Sequence, residues 1–177
     1  ESTATFVEGQ PWTVPFIGLE MIWCEPGTFM MGSPDDEKGR KNEETRHEVT
    51  LTQGFFLGKF EVTQDEWKAV MGTAPSKFFG PNRPVEQINW EQAKRFCEEL
   101  TVTERKAGRL PEGWSYDLPT EAQWEYACRA GTTTAYSWGN EINASLANYN
   151  SNIGQTANVG SCGANPWGFF DLHGNVW

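Results

Sequence analysis

The sequence lacks the features that mark several large classes of protein. It has no run of 18 or more apolar residues, so we expect no membrane span. Lys and Arg together number 14 against 24 Asp and Glu, and a net charge of -10 leaves no basic surface for a nucleic-acid partner. The glycine-rich loops that bind nucleotide phosphates and the Gly-x-Ser-x-Gly turn of serine hydrolases are missing as well. Nucleotide binding and serine hydrolysis therefore have no support.

Histidine and cysteine are scarce. His47 and His173 are the only histidines in 177 residues, so this chain cannot build a multi-histidine metal centre. The four cysteines form no Cys-x-x-Cys pair and match no zinc spacing, and two disulfides among them would have three possible connectivities. They are Cys24, Cys97, Cys128 and Cys162. Cys97 and Cys128 lie at apolar helix positions, which favours their burial. Cys162 lies in a Gly-Ser-Cys-Gly loop, which favours its exposure.

Glycine and tryptophan are abundant instead. With 18 Gly and 9 Trp, the chain is expected to form a loop-rich fold with many aromatic contacts. Its length predicts one domain. Residues 1–18 contain two prolines and little periodicity, so we interpret them as an arm or lead-in and place the domain at residues 19–177. No signal peptide is recognisable, which leaves an extracytoplasmic and a bacterial cytoplasmic location both open.

Four β-rich runs precede the helices: residues 19–23, 27–31, 48–52 and 55–62. The turn signal Cys24-Glu-Pro-Gly27 lies between the first two runs and predicts that they pair with each other. The charged segment 34–44 has no apolar residue and predicts a solvated loop.

Three helices are predicted from capping boxes, in which a capping side chain is followed three residues later by Glu or Gln. The pairs are Thr63 with Glu66, Asn89 with Gln92, and Thr120 with Gln123. The third helix is expected to bury Trp124, Ala127 and Cys128. Because strands come first, helices follow and an irregular region ends the chain, the pattern favours the α+β class.

Residues 131–163 are rich in Thr, Asn, Ser and Gly and show no helical period. Such backbone is held either by ordinary turns with side-chain hydrogen bonds or by a hard cation such as calcium. The residue pattern alone leaves both alternatives open.

Four motifs in order along the chain are more specific. They are Pro26-Gly-Thr-Phe-Met-Met-Gly-Ser33, Phe60-Glu-Val-Thr-Gln64, Leu118-Pro-Thr-Glu-Ala-Gln-Trp-Glu-Tyr-Ala127 and Asn165-Pro-Trp-Gly-Phe-Phe-Asp-Leu-His-Gly-Asn-Val-Trp177. In this combination the sequence closely resembles the formylglycine-generating enzyme family, also called sulfatase-modifying factors. The resemblance covers about the N-terminal two-thirds of that domain. It implies an elaborated C-type-lectin-like domain of the α+β class, with low regular secondary structure, three short-to-medium helices and small antiparallel sheets.

The resemblance also implies a reaction. The family's enzymes oxidise a cysteine of a sulfatase-type polypeptide to Cα-formylglycine, using molecular oxygen and a copper(I) held by two thiolates, which are soft ligands that suit this ion. In the family that cysteine pair follows the Gly-Asn-Val-Trp motif, and this sequence stops at Trp177. None of its four cysteines matches the pair. We therefore assign no catalytic and no cofactor-binding residue, and we expect copper only in a longer parent protein.

Structural calcium is the second cofactor that the resemblance implies. Asp171, Gly174 and Val176 match positions that supply one side-chain oxygen and two carbonyls to one site. Asn148 and Tyr149 match the start of a second site. Calcium prefers such hard oxygen ligands, so the resemblance favours an ion in the irregular region.

Two functions remain open at this point. One is a formylglycine-generating oxidase that binds an extended peptide. The other is a non-catalytic lectin-like module that binds a ligand or a protein, favoured by the missing cysteine pair and by an insert at Glu104–Tyr116 that compact family enzymes lack. The related iron-dependent sulfoxide synthases rank last, because two histidines cannot build their iron site.

Overall fold

Two small antiparallel sheets open the fold. The computed structural model describes residues 6–150 and 152–176, so the first five residues of the predicted arm and Trp177 lie outside the described part. The strands are β1 (Trp12–Thr13), β2 (Glu20–Cys24), β3 (Gly27–Met31), β4 (His47–Leu51) and β5 (Phe55–Gly58). One sheet has the order β1-β2-β5 and the other is the pair β3-β4.

The prediction that residues 19–23 pair with 27–31 is wrong, because the two runs lie end to end on one side of a long ribbon. β2 pairs with β5 and β3 pairs with β4, so residues 20–31 and 47–58 run side by side and the ribbon divides into two sheets midway. Pro26 lies at the division and has no backbone N–H, so it cannot donate a hydrogen bond to the neighbouring strand there. A Cβ added to Gly54 would lie 2.0 Å from the Trp23 ring, so the ribbon packs closely where it divides.

The three predicted helices are confirmed: α1 (Gln64–Met71), α2 (Trp90–Lys106) and α3 (Glu121–Arg129). All three capping boxes form, with the N-cap side chain accepting from the N3 backbone and the N3 side chain accepting from the N-cap backbone. One detail of α3 differs from expectation. Ala127 and Cys128 are buried as predicted, but Trp124 is 42% exposed, because it lies on the face that borders an open groove.

The larger hydrophobic core joins the three-stranded sheet to α1 and α2. Trp67 of α1 stacks on Phe96 of α2 with ring centroids 5.4 Å apart, and Leu100 is 1% exposed. A smaller core brings Cys24, Ala127 and Phe169 together. The second core therefore ties α3 to the irregular C-terminal region.

The segment before residue 19 contributes to the larger core. Trp12 and Val14 are buried, and β1 adds an edge to the sheet. Glu104 fixes the same segment from the other side: its fully buried carboxylate accepts hydrogen bonds from the Phe16 backbone N–H at 3.2 Å and from the Arg109 guanidinium at 2.8 Å. The predicted insert thus begins at a side chain that links α2 to the N-terminal segment.

No helix or strand occurs among the described residues after Arg129. Side-chain amides hold much of this backbone, as at Asn165, whose side chain donates to Ala127 O at 2.7 Å and accepts from Phe169 N at 3.1 Å. The fold is thus α+β with low regular secondary structure, as predicted.

Candidate functional site

A buried and a half-buried carboxyl group lie together where the segment after β5 faces the irregular C-terminal region. Glu61 belongs to the Phe60-Glu-Val-Thr motif, and its side chain lies against Asp171, 110 positions further along the chain. Both carboxylate oxygens of Glu61 are buried and neither accepts a hydrogen bond of ordinary geometry, although the amide of Asn175 lies beside them. Burial, and secondly the charge of Asp171, raises the pKa of Glu61 to about 8.

Asp171 is held by the backbone around it. Its Oδ2 accepts a hydrogen bond from the Gly160 N–H at 2.5 Å, and its own φ of 57° lies in the left-handed region, which Asp tolerates better than most residues. Burial raises the pKa of this carboxyl as well. The arrangement therefore brings two carboxyl groups together in a place with little water, where their ionised forms are disfavoured.

The structure brings Asn148 to the same place. A Cβ added to Gly174 would lie 2.4 Å from the Asn148 carbonyl oxygen, which itself accepts from the Asn175 N–H at 2.7 Å. The Asn148 side chain donates to Asn175 Oδ1 at 3.2 Å and to Gln155 O at 2.9 Å. Asn148 and Gly174, predicted as ligands of two separate sites, are thus in direct contact.

The other two predicted ligands take part in local turns. The Tyr149 carbonyl accepts from the Asn152 N–H at 3.0 Å, and the Val176 N–H donates to the Gly174 carbonyl at 3.0 Å. A carbonyl oxygen has two lone pairs, so one such bond leaves capacity for a cation.

The donor chemistry at Asp171 fits calcium. Glu61 provides two buried oxygens without partners, Asp171 provides a second carboxylate, and the Gly174 carbonyl is close by in the chain. Calcium prefers such oxygens, and its charge would balance both carboxylates. The described residues contain no group of three or more His, Cys, Asp and Glu able to hold a metal, so backbone and amide oxygens would have to complete the shell.

The cysteines do not fit a copper(I) pair. All four are free, and Cys24, Cys97 and Cys128 are buried. Burial raises the pKa of these three thiols to about 12, about 11 and about 12, respectively, so each stays protonated near neutral pH. Cys162 is half-buried rather than exposed, and burial also raises its thiol pKa.

His173 lies beside Cys128 but does not activate it. Its ring is 3.6 Å from Cys128 Sγ and 3.2 Å from Ser137 Oγ, and Tyr136 and Trp138 pack edge-on against it. Burial lowers the pKa of His173 to about 4, so the imidazole is neutral. A neutral histidine beside a protonated thiol serves to position the loop.

The resemblance proposed Asp171, Gly174 and Asn148 as calcium ligands, and the structure places Glu61, which sequence reasoning did not single out, against Asp171. The signal was present in the Phe60-Glu-Val-Thr-Gln64 motif, which places a carboxylate between two large apolar residues at the end of a predicted strand. Such a position is expected to be buried, and a buried carboxylate requires a partner.

Comparison with known proteins agrees with this fold. The model of the sulfatase-modifying factor enzyme 1-like domain matches residues 13–177, so the chain belongs to the family of formylglycine-generating (sulfatase-modifying) proteins. A chaperone protein named LppX from Paenibacillus barcinonensis is 31% identical, with 89% of this chain and 69% of that protein covered. The formylglycine-generating enzyme of Mycobacterium tuberculosis is 41% identical over 109 residues, which cover 53% of this chain and 31% of that protein.

Solved structures give the same result. PvdO from Pseudomonas aeruginosa superposes with a TM-score of 0.78 at 27% identity, covering 97% of this chain and 74% of that one. Variable protein 1 of Treponema denticola gives 0.77 at 28% identity, with coverages of 94% and 74%. The chain thus spans about two-thirds to three-quarters of the length of LppX, PvdO and the Treponema protein. It spans a smaller share of the formylglycine-generating enzyme of Mycobacterium tuberculosis, at 31%. Among the described residues, none of the helices has both the length and the apolar character that a bilayer span requires.

Proposed function

We propose that this chain is a calcium-supported scaffold that recognises polypeptide, within a protein of the formylglycine-generating family, and that its described residues hold no copper centre. The state of the cysteines carries the last part of this proposal, and the oxygen donors around Asp171 support the calcium. Thiolates bind copper(I), and the three most buried thiols here are protonated near neutral pH. Relatives with names as different as chaperone and formylglycine-generating enzyme indicate that one scaffold supports several tasks.

The first test is copper(I) binding. In competition with bathocuproine disulfonate at pH 7, the 177-residue chain is expected to take up no stoichiometric copper(I), because its buried thiols must lose a proton first. The control is the same chain unfolded in guanidinium, where the four cysteines are accessible and copper uptake is expected. Tight one-to-one uptake by the folded chain would contradict the proposal.

A second candidate is the oxidase itself, carried by a longer protein. It is favoured by the formylglycine-generating enzymes among the relatives, including the 41% identical stretch in the Mycobacterium protein. A copper-loaded longer protein with this function would consume oxygen when given a Cys-x-Pro-x-Arg peptide and a reductant. Turnover there, with none by the 177-residue chain, would assign the chemistry to residues beyond this sequence.

Calcium is the cofactor that we propose for the chain itself, bound near Asp171 with the Gly174 and Val176 carbonyls and with Glu61 as a further carboxylate. Asn148 lies against this loop and is proposed to hold it in place, whereas Tyr149 stays a ligand candidate on resemblance alone. Bound calcium would supply positive charge to the two carboxylates and fix the irregular backbone. No step of catalysis is assigned to it.

Asp171→Asn tests this proposal. Asn keeps the shape and tolerates the positive φ, but it removes one of the two charges. Calcium at 100 times its Kd is expected to stabilise the wild type by about 2.7 kcal/mol, seen as several degrees in Tm, and to stabilise the variant much less. In chelator above pH 8, where Glu61 is ionised, the variant should melt no lower than the wild type, since a like-charge contact is relieved.

The matched control is Asp36→Asn, which changes an exposed acid in the charged loop. It should leave the calcium-induced shift in Tm intact. An equal calcium response in Asp171→Asn and the wild type would mean that Asp171 only caps its loop.

A further inference from the structure

A short motif outside the site described above has the pattern of a covalent modification site. Asn143-Ala-Ser145 matches the Asn-x-Ser acceptor of N-glycosylation, with Ala rather than Pro at the middle position. No other asparagine in the sequence is followed by Ser or Thr two positions later. The pattern alone is common, so its place in the structure decides whether a transferase can reach it.

The motif lies on the surface. All three of its residues are exposed, and no helix or strand includes them. The chain is anchored on both sides of it, because the Glu141 carbonyl accepts a hydrogen bond from the Trp138 indole N–H at 2.9 Å and Ala147 is buried. The fold therefore presents an accessible loop between two fixed points, which is the setting in which enzymes modify folded chains.

Local hydrogen bonds arrange the asparagine. Asn143 Oδ1 accepts from the Ser145 backbone N–H at 2.9 Å and from the Ser145 hydroxyl at 2.6 Å. The Asn143 carbonyl accepts from the Leu146 N–H at 3.0 Å and from the Ala147 N–H at 3.3 Å. All four bonds lie within residues 143–147, so opening this turn breaks none of the hydrogen bonds between distant parts of the chain.

The nitrogen that would carry a glycan is not used by the fold. Within residues 6–150 and 152–176, Asn143 Nδ2 donates no hydrogen bond to a protein atom, since the contacts of this side chain are made by Oδ1. The side-chain amides of Asn148, Asn165 and Asn175 instead donate to backbone carbonyls. Modification of those three would break structural bonds, whereas modification of Asn143 would break none.

Glu141 adds a charge that a transferase can recognise. Its side chain is exposed two positions before Asn143, in the same loop. A carboxylate there can accept charge-assisted hydrogen bonds from an arginine of an enzyme that binds the loop in an extended form.

From the exposed motif, the unused amide nitrogen and Glu141 together, we infer that Asn143 is an N-glycosylation site in an exported form of this protein. The co-substrate is an oligosaccharide carried on a polyprenyl diphosphate. Asn143 Nδ2 attacks the anomeric carbon, the new C–N bond forms as the bond from that carbon to the diphosphate oxygen breaks, and a basic group of the transferase takes the amide proton. This inference selects the extracytoplasmic location and does not depend on calcium binding or on oxidation.

The first test uses the protein from its natural source. Cytosolic and exported fractions are collected separately, and their peptides are mapped by electron-transfer mass spectrometry, which keeps a glycan attached to its residue. The exported protein is expected to carry a glycan mass on Asn143. Protein present only in the cytosol, or exported protein with unmodified Asn143, would overturn the inference.

The second test asks whether the fold presents the site. The folded chain is combined with a polyprenyl diphosphate oligosaccharide and a bacterial oligosaccharyltransferase that requires an acidic residue two positions before the asparagine. Because the turn is local and opens at little cost, transfer is expected at a rate within about 10-fold of that for a peptide of residues 139–147. Transfer to the peptide with none to the folded chain would contradict the inference.

Four variants complete the second test. Asn143→Gln should abolish transfer, Glu141→Gln should slow it about 10-fold or more, and Ser145→Thr, which keeps the hydroxyl, should retain it. Asn42→Gln is the matched control, since it changes an exposed asparagine in the charged loop outside any such motif, and it should leave transfer unchanged. All four should melt as the wild type does, because their side chains are exposed. Transfer that persists in Asn143→Gln would overturn the assignment.

Discussion

Glu61→Gln is expected to remove most of the pH dependence of stability between pH 6.5 and 8 in the calcium-free chain. Burial and the adjacent Asp171 raise the pKa of Glu61 to about 8 in the folded state, whereas the unfolded state ionises near the ordinary value of 4.5. The folded chain therefore holds a proton that the unfolded chain has released. Stability from this group is complete below the unfolded pKa and is lost as the pH rises toward 8.

The expected loss in the wild type is about 1.4 kcal/mol per pH unit, or about 2 kcal/mol over this window. Urea unfolding at several pH values in chelator measures it. The window avoids His173, whose pKa is lowered to about 4 by burial, so that its contribution is lost only as the pH falls from 6.5 toward 4. Glu61→Gln should give a nearly flat profile and the higher stability at pH 8.

Calcium should reverse the order of stability of the wild type and Glu61→Gln at pH 8. With calcium bound, the ionised Glu61 is stabilised by the cation, so the wild type should gain stability and Glu61→Gln should gain little. Glu48→Gln, an exposed glutamate on β4, is the control and should behave as the wild type in both conditions. A steep profile that persists in Glu61→Gln would show that another group carries the pH dependence.

The helices were predictable because their signals are local. Each capping box spans four residues, and Thr63, Asn89 and Thr120 all cap as the sequence indicated. Strand pairing depends on residues far apart: the run 27–31 pairs with 47–51 across a charged loop, which a turn signal at Pro26 does not reveal. The predicted burial of Trp124 was wrong for a related reason, because its face of α3 borders a groove rather than filled core.

The candidate site was predictable only in part. Asp171, Gly174 and Asn148 came from a motif resemblance, and the structure places them together. Glu61 was not predicted, because no local pattern indicates that a carboxylate in the segment after β5 contacts Asp171, which lies 110 residues later. Metal sites built from carbonyl groups are difficult to predict for the same reason: any residue can supply the oxygen, and only the backbone path decides which one does.

Glu104 shows how a buried charge inside an apparent insert supports the fold. Its carboxylate is fully buried, whereas the Arg109 side chain that pairs with it is 33% exposed. Because Oε1 also accepts the Phe16 N–H, this one side chain links α2, the segment after it and the N-terminal segment. Removing it leaves a backbone donor and a guanidinium without their acceptor.

Glu104→Ala is accordingly expected to destabilise the chain by about 3 kcal/mol, toward the lower end for a broken buried ion pair, since Arg109 regains water. At this chain length that corresponds to a fall in Tm of about 10 °C. Glu104→Gln keeps the shape and one acceptor and should lose roughly half as much. Glu99→Ala on the exposed face of the same helix should change stability by less than about 0.5 kcal/mol. Similar losses for Glu99→Ala and Glu104→Ala would mean that the buried link to Phe16 does not determine the effect.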